Sequence, residues 1–408
     1  MRIIEKTLGW IYHPILHSIR NSTFFNQKQI NKLIKNCIKS EERKKRIYID
    51  ISDIFESDIM TGIQRVSHNI SNELQKLNDE FDIITVFCKN FYGFFDCNTK
   101  EKVTYKSGDI FFGLDNSLHY SYKYNKFYKN LIKNNIKVVF FIHDLIPLRF
   151  PQYFSERSSR FFKIFFNQVL NYNQLICNSK STADDLKLWL SENPKIKHNK
   201  NLKISYSLLG CDLKKEEITY IKRSDYDSPI SFLMVSTVEP RKKYDQVIKA
   251  FNILWEKNIQ VKLTIVGRKG WKCKGWKCDE TFNLIEENKE FNKKLFWLNT
   301  GISDEELIKN YRDCDAVIMA SIAEGFGLAV AEASYFKKPL IIRDIPPFRE
   351  IAGENAYYFD SLSPEILAEK IETWISLFKQ NKEPDSSLIK TRTWSDCASD
   401  IYKSLIEE

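Results

Sequence analysis

The sequence predicts an α/β protein with two open-sheet domains and a helical extension at its N-terminus. Three observations predict this. The chain has 408 residues, longer than a single hydrophobic core usually serves. Short β-rich runs ending in turn residues and followed by helical patterns occur twice, from Arg46 and again from Ile230, which is the βα rhythm of a parallel sheet. Between the two series, residues 212–228 carry many charges and few large apolar groups, as a linker does. The expected division is 1–45 as a basic helical extension, 46–220 and 221–385 as the two domains, and 386–408 as a last helix returning to the first domain.

The extension is expected to be amphipathic. Over Gln27–Lys45, Ile30, Leu33, Ile34, Cys37 and Ile38 fall on one helical face, with Lys28, Lys32, Lys35 and Lys39 opposite. Residues 1–46 hold eleven Lys/Arg against three Glu, and the whole chain is +9, so its basic character is local. Such a segment suits an anionic membrane surface. A helix docked on the protein with a solvated basic face is the alternative. No aromatic-interleaved basic platform follows, which argues against nucleic acid as a partner.

The first domain opens with the strand run Arg46–Ser52, then Met60–Val66 leading a helix to Leu77. Further strands are expected over Asp82–Phe87, Asp109–Phe112, Val138–Ile142 and Gln174–Cys177, with helices over Ser155–Asn171 and after the cap-like Asn178–Thr182. His143 and Asp144 follow the third of these strands, where open α/β sheets bind ligands. No G-x-G-x-x-G follows a strand, which weakens a nicotinamide or flavin reading.

In the second domain, Ile230–Val235 leads through Val238-Glu239-Pro240-Arg241-Lys242 to a helix over 245–257. Strands follow at Val261–Val266, Leu295–Leu298, Ala316–Ala320 and Pro339–Ile342, with helices near 279–288, after the capping box at Ser303, and over 363–378. A final helix is expected near 394–406.

The stretch Glu324-Gly325-Phe326-Gly327-Leu328-Ala329-Val330-Ala331-Glu332 carries the clearest chemistry. Its glycines let backbone N–H groups approach a ligand. The helix that starts there turns its positive end to the same place. The two acids lie eight residues apart, ~12 Å if both were on one helix. A nucleotide-sugar, with diphosphate between sugar and ribose, matches that layout. Asp313-Cys314-Asp315 imitates a metal-binding D-x-D, but its place before a strand argues against metal ligation. Cys273 and Cys278 have no matching second pair, so zinc is not expected. The scattered cysteines and the lack of a secretory pattern or a membrane-spanning apolar run point to the cytoplasm. Trp271 and Trp276 are candidates for an acceptor groove or for core.

T-G-I-Q-R-V (61–66), H-D-L-I-P-L (143–148), V-E-P-R-K (238–242), V-G-R-K-G-W (266–271) and E-G-F-G-L-A-V-A-E (324–332) occur in one order over residues 46–408. Together they resemble the retaining glycosyltransferases of family four, and bacterial O-antigen and polysaccharide mannosyltransferases in particular. The resemblance implies a GT-B fold, two Rossmann-like doubly wound domains facing across a cleft. It implies that Glu324 bonds hydroxyls of the donor sugar and Glu332 those of the ribose. Gly325, Phe326 and Gly327 would offer backbone donors, with Leu328 and Ala329 at the helix start facing the diphosphate. Lys242 would neutralise that diphosphate. Gly62 and Gln64 would lie in the first glycine loop, and His143 near the anomeric centre. Thr237 departs from the family's usual Arg, leaving Arg241 as the candidate partner of Lys242.

The implied activity is metal-independent transfer of a hexosyl group, with retention, to a growing and lipid-linked surface glycan. GDP-mannose is the leading donor, and rhamnosyl or other hexosyl transfer from a dTDP- or UDP-sugar the alternative. No cofactor is expected. The implied place is the cytoplasm, peripheral at the inner face of its membrane. A non-catalytic GT-B glycan- or nucleotide-binding protein and a nucleotide-sugar epimerase are the other classes.

Overall fold

The computed structural model describes residues 37–39, 42–55, 62–77, 80–89, 93–115, 124–213, 227–270 and 278–407. Most of the basic extension, Thr61, most of the linker, Trp271 and Trp276 lie outside these residues.

The first unit runs through β1 (Arg46–Asp50), α1 (Ser52–Phe55), α2 (Gly62–Gln75), β2 (Asp82–Cys88), β3 (Phe94–Asp96), β4 (Ile110–Gly113), α3 (Asn125–Lys133), β5 (Lys137–Ile142), α4 (Ile146–Arg149), α5 (Glu156–Val169), β6 (Gln174–Cys177), α6 (Lys180–Glu192) and β7 (Lys203–Tyr206). Its sheet has the order β3-β2-β1-β4-β5-β6-β7. All neighbours are parallel except the β2–β3 edge pair. β5 is buried from Val138 to Ile142, because helices cover both faces of a parallel sheet and continuous apolar runs suit it. On α2, Val66, Ile70 and Leu74 make the buried stripe at four-residue spacing. Aromatic side chains fill much of this core: Phe140 stacks with Tyr172, and Phe94 with Phe127.

The second unit runs through β8 (Ile230–Val235), α7 (Tyr244–Glu256), β9 (Val261–Val266), α8 (Cys278–Glu286), β10 (Leu295–Leu298), α9 (Asp304–Asp313), β11 (Ala316–Met319), α10 (Leu328–Tyr335), β12 (Leu340–Arg343), α11 (Pro346–Ala352), β13 (Tyr357–Phe359) and α12 (Pro364–Lys379). Its six strands are all parallel in the order β10-β9-β8-β11-β12-β13. That is the doubly wound order, whose direction reverses between β8 and β11 and opens a crevice at their carboxyl ends. Ser303 and Glu306 form the expected reciprocal cap of α9.

The last helix, α13 (Trp394–Ile406), packs on α2. Lys137 donates to the carbonyls of Leu405 (2.9 Å) and Glu407 (2.6 Å) at its C-terminal end, where a cation suits the helix dipole. The first unit comprises the described residues up to Leu148, then Glu156–Leu208 and those from Trp394. The second comprises Arg149–Ser155 and Leu209–Thr393. The division thus falls at 208/209 and 393/394 rather than 220/221 and 385/386.

Two expectations are corrected. A basic helix over Gln27–Lys45 does not extend through Cys37–Lys39 and Glu42–Lys45, which are non-helical. Ile38 forms a β-bridge with Tyr105, Cys37 is buried, and Arg43 pairs with the buried Asp109 at 2.6 Å. Pairing with the first unit overrides the helical periodicity there, and one basic charge is consumed internally. The second correction concerns the acids. Only Glu332 lies on a helix, since α10 begins at Leu328, so the helical rise does not set the Glu324–Glu332 separation. α1, β3, α3, α4, β7, α11 and β13 are elements absent from the sequence-based expectation.

Candidate active site

In the second unit, two segments meet at the reversal of strand order. One leaves β8 and forms a 3-10 turn, Pro240–Lys242. The other leaves β11 and runs through Ser321 to Gly327. They are tied by the Ile322 N–H, which donates to the Arg241 carbonyl at 2.9 Å. Lys243, in the left-handed region at φ 55°, closes the turn and opens α7.

This tie brings Arg241, Lys242 and Glu324 together. The Lys242 ammonium donates to Glu324 Oε1 at 2.5 Å. The Arg241 guanidinium reaches Glu324 Oε2 at 3.2 Å and the Ala323 carbonyl at 2.7 Å. Its other arm meets Glu239 Oε1 at 2.5 Å. Two acids and two bases form one chain of contacts with no net charge. Burial alone would raise the pKa of Glu324, but the charges of Lys242 and then Arg241 overcome it and hold the carboxyl at about 2. Burial, with Arg241's like charge, lowers Lys242 from the usual ammonium value against the pull of Glu324. Glu324 is therefore an anion across the ordinary pH range.

Gly325 and Phe326 are buried in the turn after Glu324, and Gly327 caps α10 at φ 102°. A Cβ at Gly327 would lie 2.7 Å from the Phe348 ring, so glycine is needed for conformation and for space. Leu328 and Ala329 begin α10, whose first N–H groups and dipole make an anion-favouring end. Glu332, 3% exposed, lies on the second turn and accepts the Tyr311 hydroxyl at 2.8 Å. The V-G-R-K-G segment lies against the β8 exit: a Cβ at Gly267 would stand 1.8 Å from the Ser236 carbonyl, and one at Gly270 2.6 Å from that of Val238. Its glycines thus serve a close backbone approach, by which the Val238 N–H donates to the Arg268 carbonyl at 2.9 Å. An open pocket of about 520 Å³ at the end of β10 is lined by Leu298, Gly301, Ile302 and Asn310 among others. In the D-x-D imitation, Asp315 instead accepts the Ser231 N–H at 2.8 Å and its hydroxyl at 2.9 Å.

In the first unit, Gly62 and Gln64 stand on the opening turn of α2, with Gly62 exposed. His143 follows β5 and is buried. Its Nε2–H donates to the Leu114 carbonyl at 3.0 Å; the acceptor is a carbonyl, so the proton is on Nε2. Burial lowers its pKa to about 4 despite that bond, so the ring is neutral at physiological pH. Asn178 donates to the His143 carbonyl at 2.6 Å and fixes the backbone there.

Three further acids stand out that sequence reasoning did not single out. Glu239 is the second counter-ion of Arg241. Asp50 ends β1 and Asp115 follows β4, both buried at the strand-order reversal of the first sheet. Asp50 accepts from the Ser52 N–H at 3.1 Å and hydroxyl at 2.5 Å, and Asp115 from the Asp53 N–H at 2.6 Å. Burial and the charge of Asp115 raise Asp50 well above the usual carboxylate range. The available signal was an acid inside or just past a predicted strand, Asp50 within Arg46–Ser52 and Asp115 three residues after Phe112.

The family model for glycosyl transferases group 1 matches residues 216–387, and that for the N-terminal domain of glucosyltransferase 3-like proteins matches 116–196. The serotype-specific mannosyltransferase WbdA of Escherichia coli is 34% identical over 395 residues, 91% of this chain and 47% of WbdA. The O-antigen chain mannosyltransferase RfbU of Salmonella typhimurium is 26% identical over 220 residues, 53% of this chain and 55% of RfbU. The chain thus spans about half the length of these curated relatives. Among solved structures, Anabaena HepE, determined with UDP and glucose, aligns with a TM-score of 0.59 and 14% identity, covering 89% of this chain and 100% of that one. A sucrose-phosphate synthase from Thermosynechococcus elongatus aligns at 0.57 and 14%, covering 89% and 95%. With its two doubly wound sheets, the chain has the GT-B fold; its residues 216–387 match the glycosyl transferases group 1 model, and most of its length is similar to an O-antigen mannosyltransferase.

Proposed function

We propose that the chain transfers a hexosyl group from a nucleotide-sugar to a growing, lipid-linked surface glycan. GDP-mannose is the first donor to test. The observation that carries this reading is the Glu239–Arg241–Glu324–Lys242 network beside the N-terminus of α10. A guanidinium, an ammonium and a helix end gathered in this way suit the charge that a leaving diphosphate gains, and the carboxylate beside them suits sugar hydroxyls. Fixed charges and dipoles of this kind stabilise a leaving group without reorganising. The relationship to WbdA and RfbU supports mannose as the sugar and O-antigen as the product class.

In the proposed step the anomeric C–O bond to phosphate breaks as the acceptor oxygen bonds the same face of that carbon. The acceptor's proton passes to the departing phosphate oxygen, giving a nucleoside diphosphate and a retained anomeric configuration. Arg241, Lys242 and the α10 N–H groups take up the developing negative charge. Glu324 orients the sugar hydroxyls and Glu332 the ribose. No metal ion enters this step. Residues 1–36 are proposed to rest on an anionic membrane at the cytoplasmic face, bringing the enzyme to its lipid-linked acceptor.

The test is incubation with a panel of nucleotide-sugars and an isolated lipid-linked glycan, scoring released nucleotide and extended product. Wild type is expected to prefer one donor. Glu324→Ala should lower turnover about 10²-fold or more while keeping the circular dichroism of the wild type. Full turnover by a folded Glu324→Ala would overturn the site assignment, and release of a free epimer without acceptor would overturn transfer.

A further inference from the structure

Arg343, the last residue of β12, is 3% exposed. Its guanidinium donates to four acceptors, and all four are uncharged. Nε reaches the Ala320 carbonyl at 2.9 Å. Nη1 reaches the carbonyls of Asp360 at 3.0 Å and Ser361 at 3.1 Å. Nη2 reaches Gln246 Oε1 at 2.5 Å. Gln246 is itself oriented by donating from Nε2 to the carbonyls of Ser361 (2.8 Å) and Ser363 (3.2 Å). The guanidinium also lies 5.0 Å from the centre of the Phe359 ring. Among the described residues no carboxylate stands within ion-pair distance of it, and Asp360, whose charge favours it, has an exposed side chain.

Burying a cation on neutral acceptors alone is expensive, and an apolar residue of similar size is usually no worse for stability. The location of this one suggests what it does. Ala320 is the residue after β11, and Ser321 to Ala323 lead from it directly into Glu324. The Arg241, Lys242, Glu239 and Glu324 charges cancel, whereas Arg343 has no such counterweight. It is a positive charge at the root of the turn that carries Glu324 and the start of α10.

We propose that Arg343 is a positioning residue for the donor site: it grips the Ala320 carbonyl to set the Glu324 turn, and its unpaired charge favours an anionic group at that turn. The inference rests on the reading of this site as a nucleotide-sugar site. It implies that a planar five-donor fork is needed, since one ammonium cannot hold three strand ends and Gln246 together.

Arg343→Gln and Arg343→Lys in the full chain test it, with GDP and guanosine as probes in calorimetric titrations, or the diphosphate and nucleoside of whichever donor the wild type uses. Arg343→Gln is expected to weaken diphosphate binding by about tenfold and leave the nucleoside within about twofold, with a shallower salt dependence. Arg343→Lys is expected to keep most diphosphate affinity and lose kcat, because the charge remains and the fork does not. Diphosphate affinity and kcat/KM within about twofold of wild type for Arg343→Gln would overturn the proposal. So would an equal loss for nucleoside and diphosphate, which marks a structural role only. If Arg343→Gln does not fold, an unchanged kcat in Arg343→Lys overturns it. A wild type inactive with every nucleotide-sugar counts against the functional reading instead, and the diphosphate–nucleoside comparison still decides Arg343.

Discussion

At Asp50 the first sheet ends in a carboxyl that burial and Asp115 keep protonated well above the ordinary value of 3.8. The sign of the linkage follows. An acid whose folded pKa is raised contributes stability below its unfolded pKa and loses it as pH rises through the folded one. Asp50→Asn keeps an oxygen for Ser52 and cannot ionise. It should match wild type in thermal unfolding near pH 4 and exceed it by about 2 °C or more toward pH 8; a constant difference across that range would contradict the raised pKa. Glu324 behaves oppositely. With its pKa held at about 2, its ion pairs persist through neutral pH and weaken only as pH falls below the ordinary 4.5. His143, lowered to about 4 by burial, contributes no activity inflection near 6.5. Arg241, Lys242 and Glu324 were legible in the sequence because a short motif carries each one. Glu239 and Arg343 were not, because their importance lies in which atoms they meet after three strand ends converge.

The elements carry the site through two short connections, and the turn Glu324–Gly327 is the more constrained of them. Gly327 combines a φ of 102° with a Phe348 ring in the space a Cβ would take. Gly327→Ala therefore strains both the backbone and the α10–α11 packing. We expect a loss of about 1–3 kcal/mol in urea unfolding together with a raised KM for the donor, and wild-type values of both would remove the turn from the site. Most strands and the longer helices were readable from periodicity, and the α9 cap from its Ser and Glu. Most of the missed elements have one of two causes. β3 and β13 have three residues each and β7 four, too few to establish a period, and the Pro346-Pro347 pair that starts α11 reads as a loop. The helix expected over 27–45 is corrected only in its last part, for the reverse reason: the pattern was good, but tertiary pairing at Ile38 and Arg43 decided the described residues there.

At the scale of the whole molecule, the basic N-terminal segment is the least absorbed feature. No helix among the described residues is long and apolar enough to cross a membrane. Since Cys37 is core and Arg43 is paired, the segment to remove is 1–36 rather than 1–45. A chain lacking 1–36 should keep donor hydrolysis and sediment less with vesicles of anionic phospholipid at low salt; undiminished sedimentation would place membrane contact elsewhere. The closure of the first unit by α13 carries a consequence for synthesis. The apolar face of α2 that receives Trp394–Ile406 emerges from the ribosome long before its cover. At ordinary elongation rates the intervening residues 209–393 take roughly 10–40 s to make. Through that interval the nascent first unit lacks the helix that packs on α2, so the second unit is the one that can finish folding first, and a stalled or truncated chain is a substrate for chaperones.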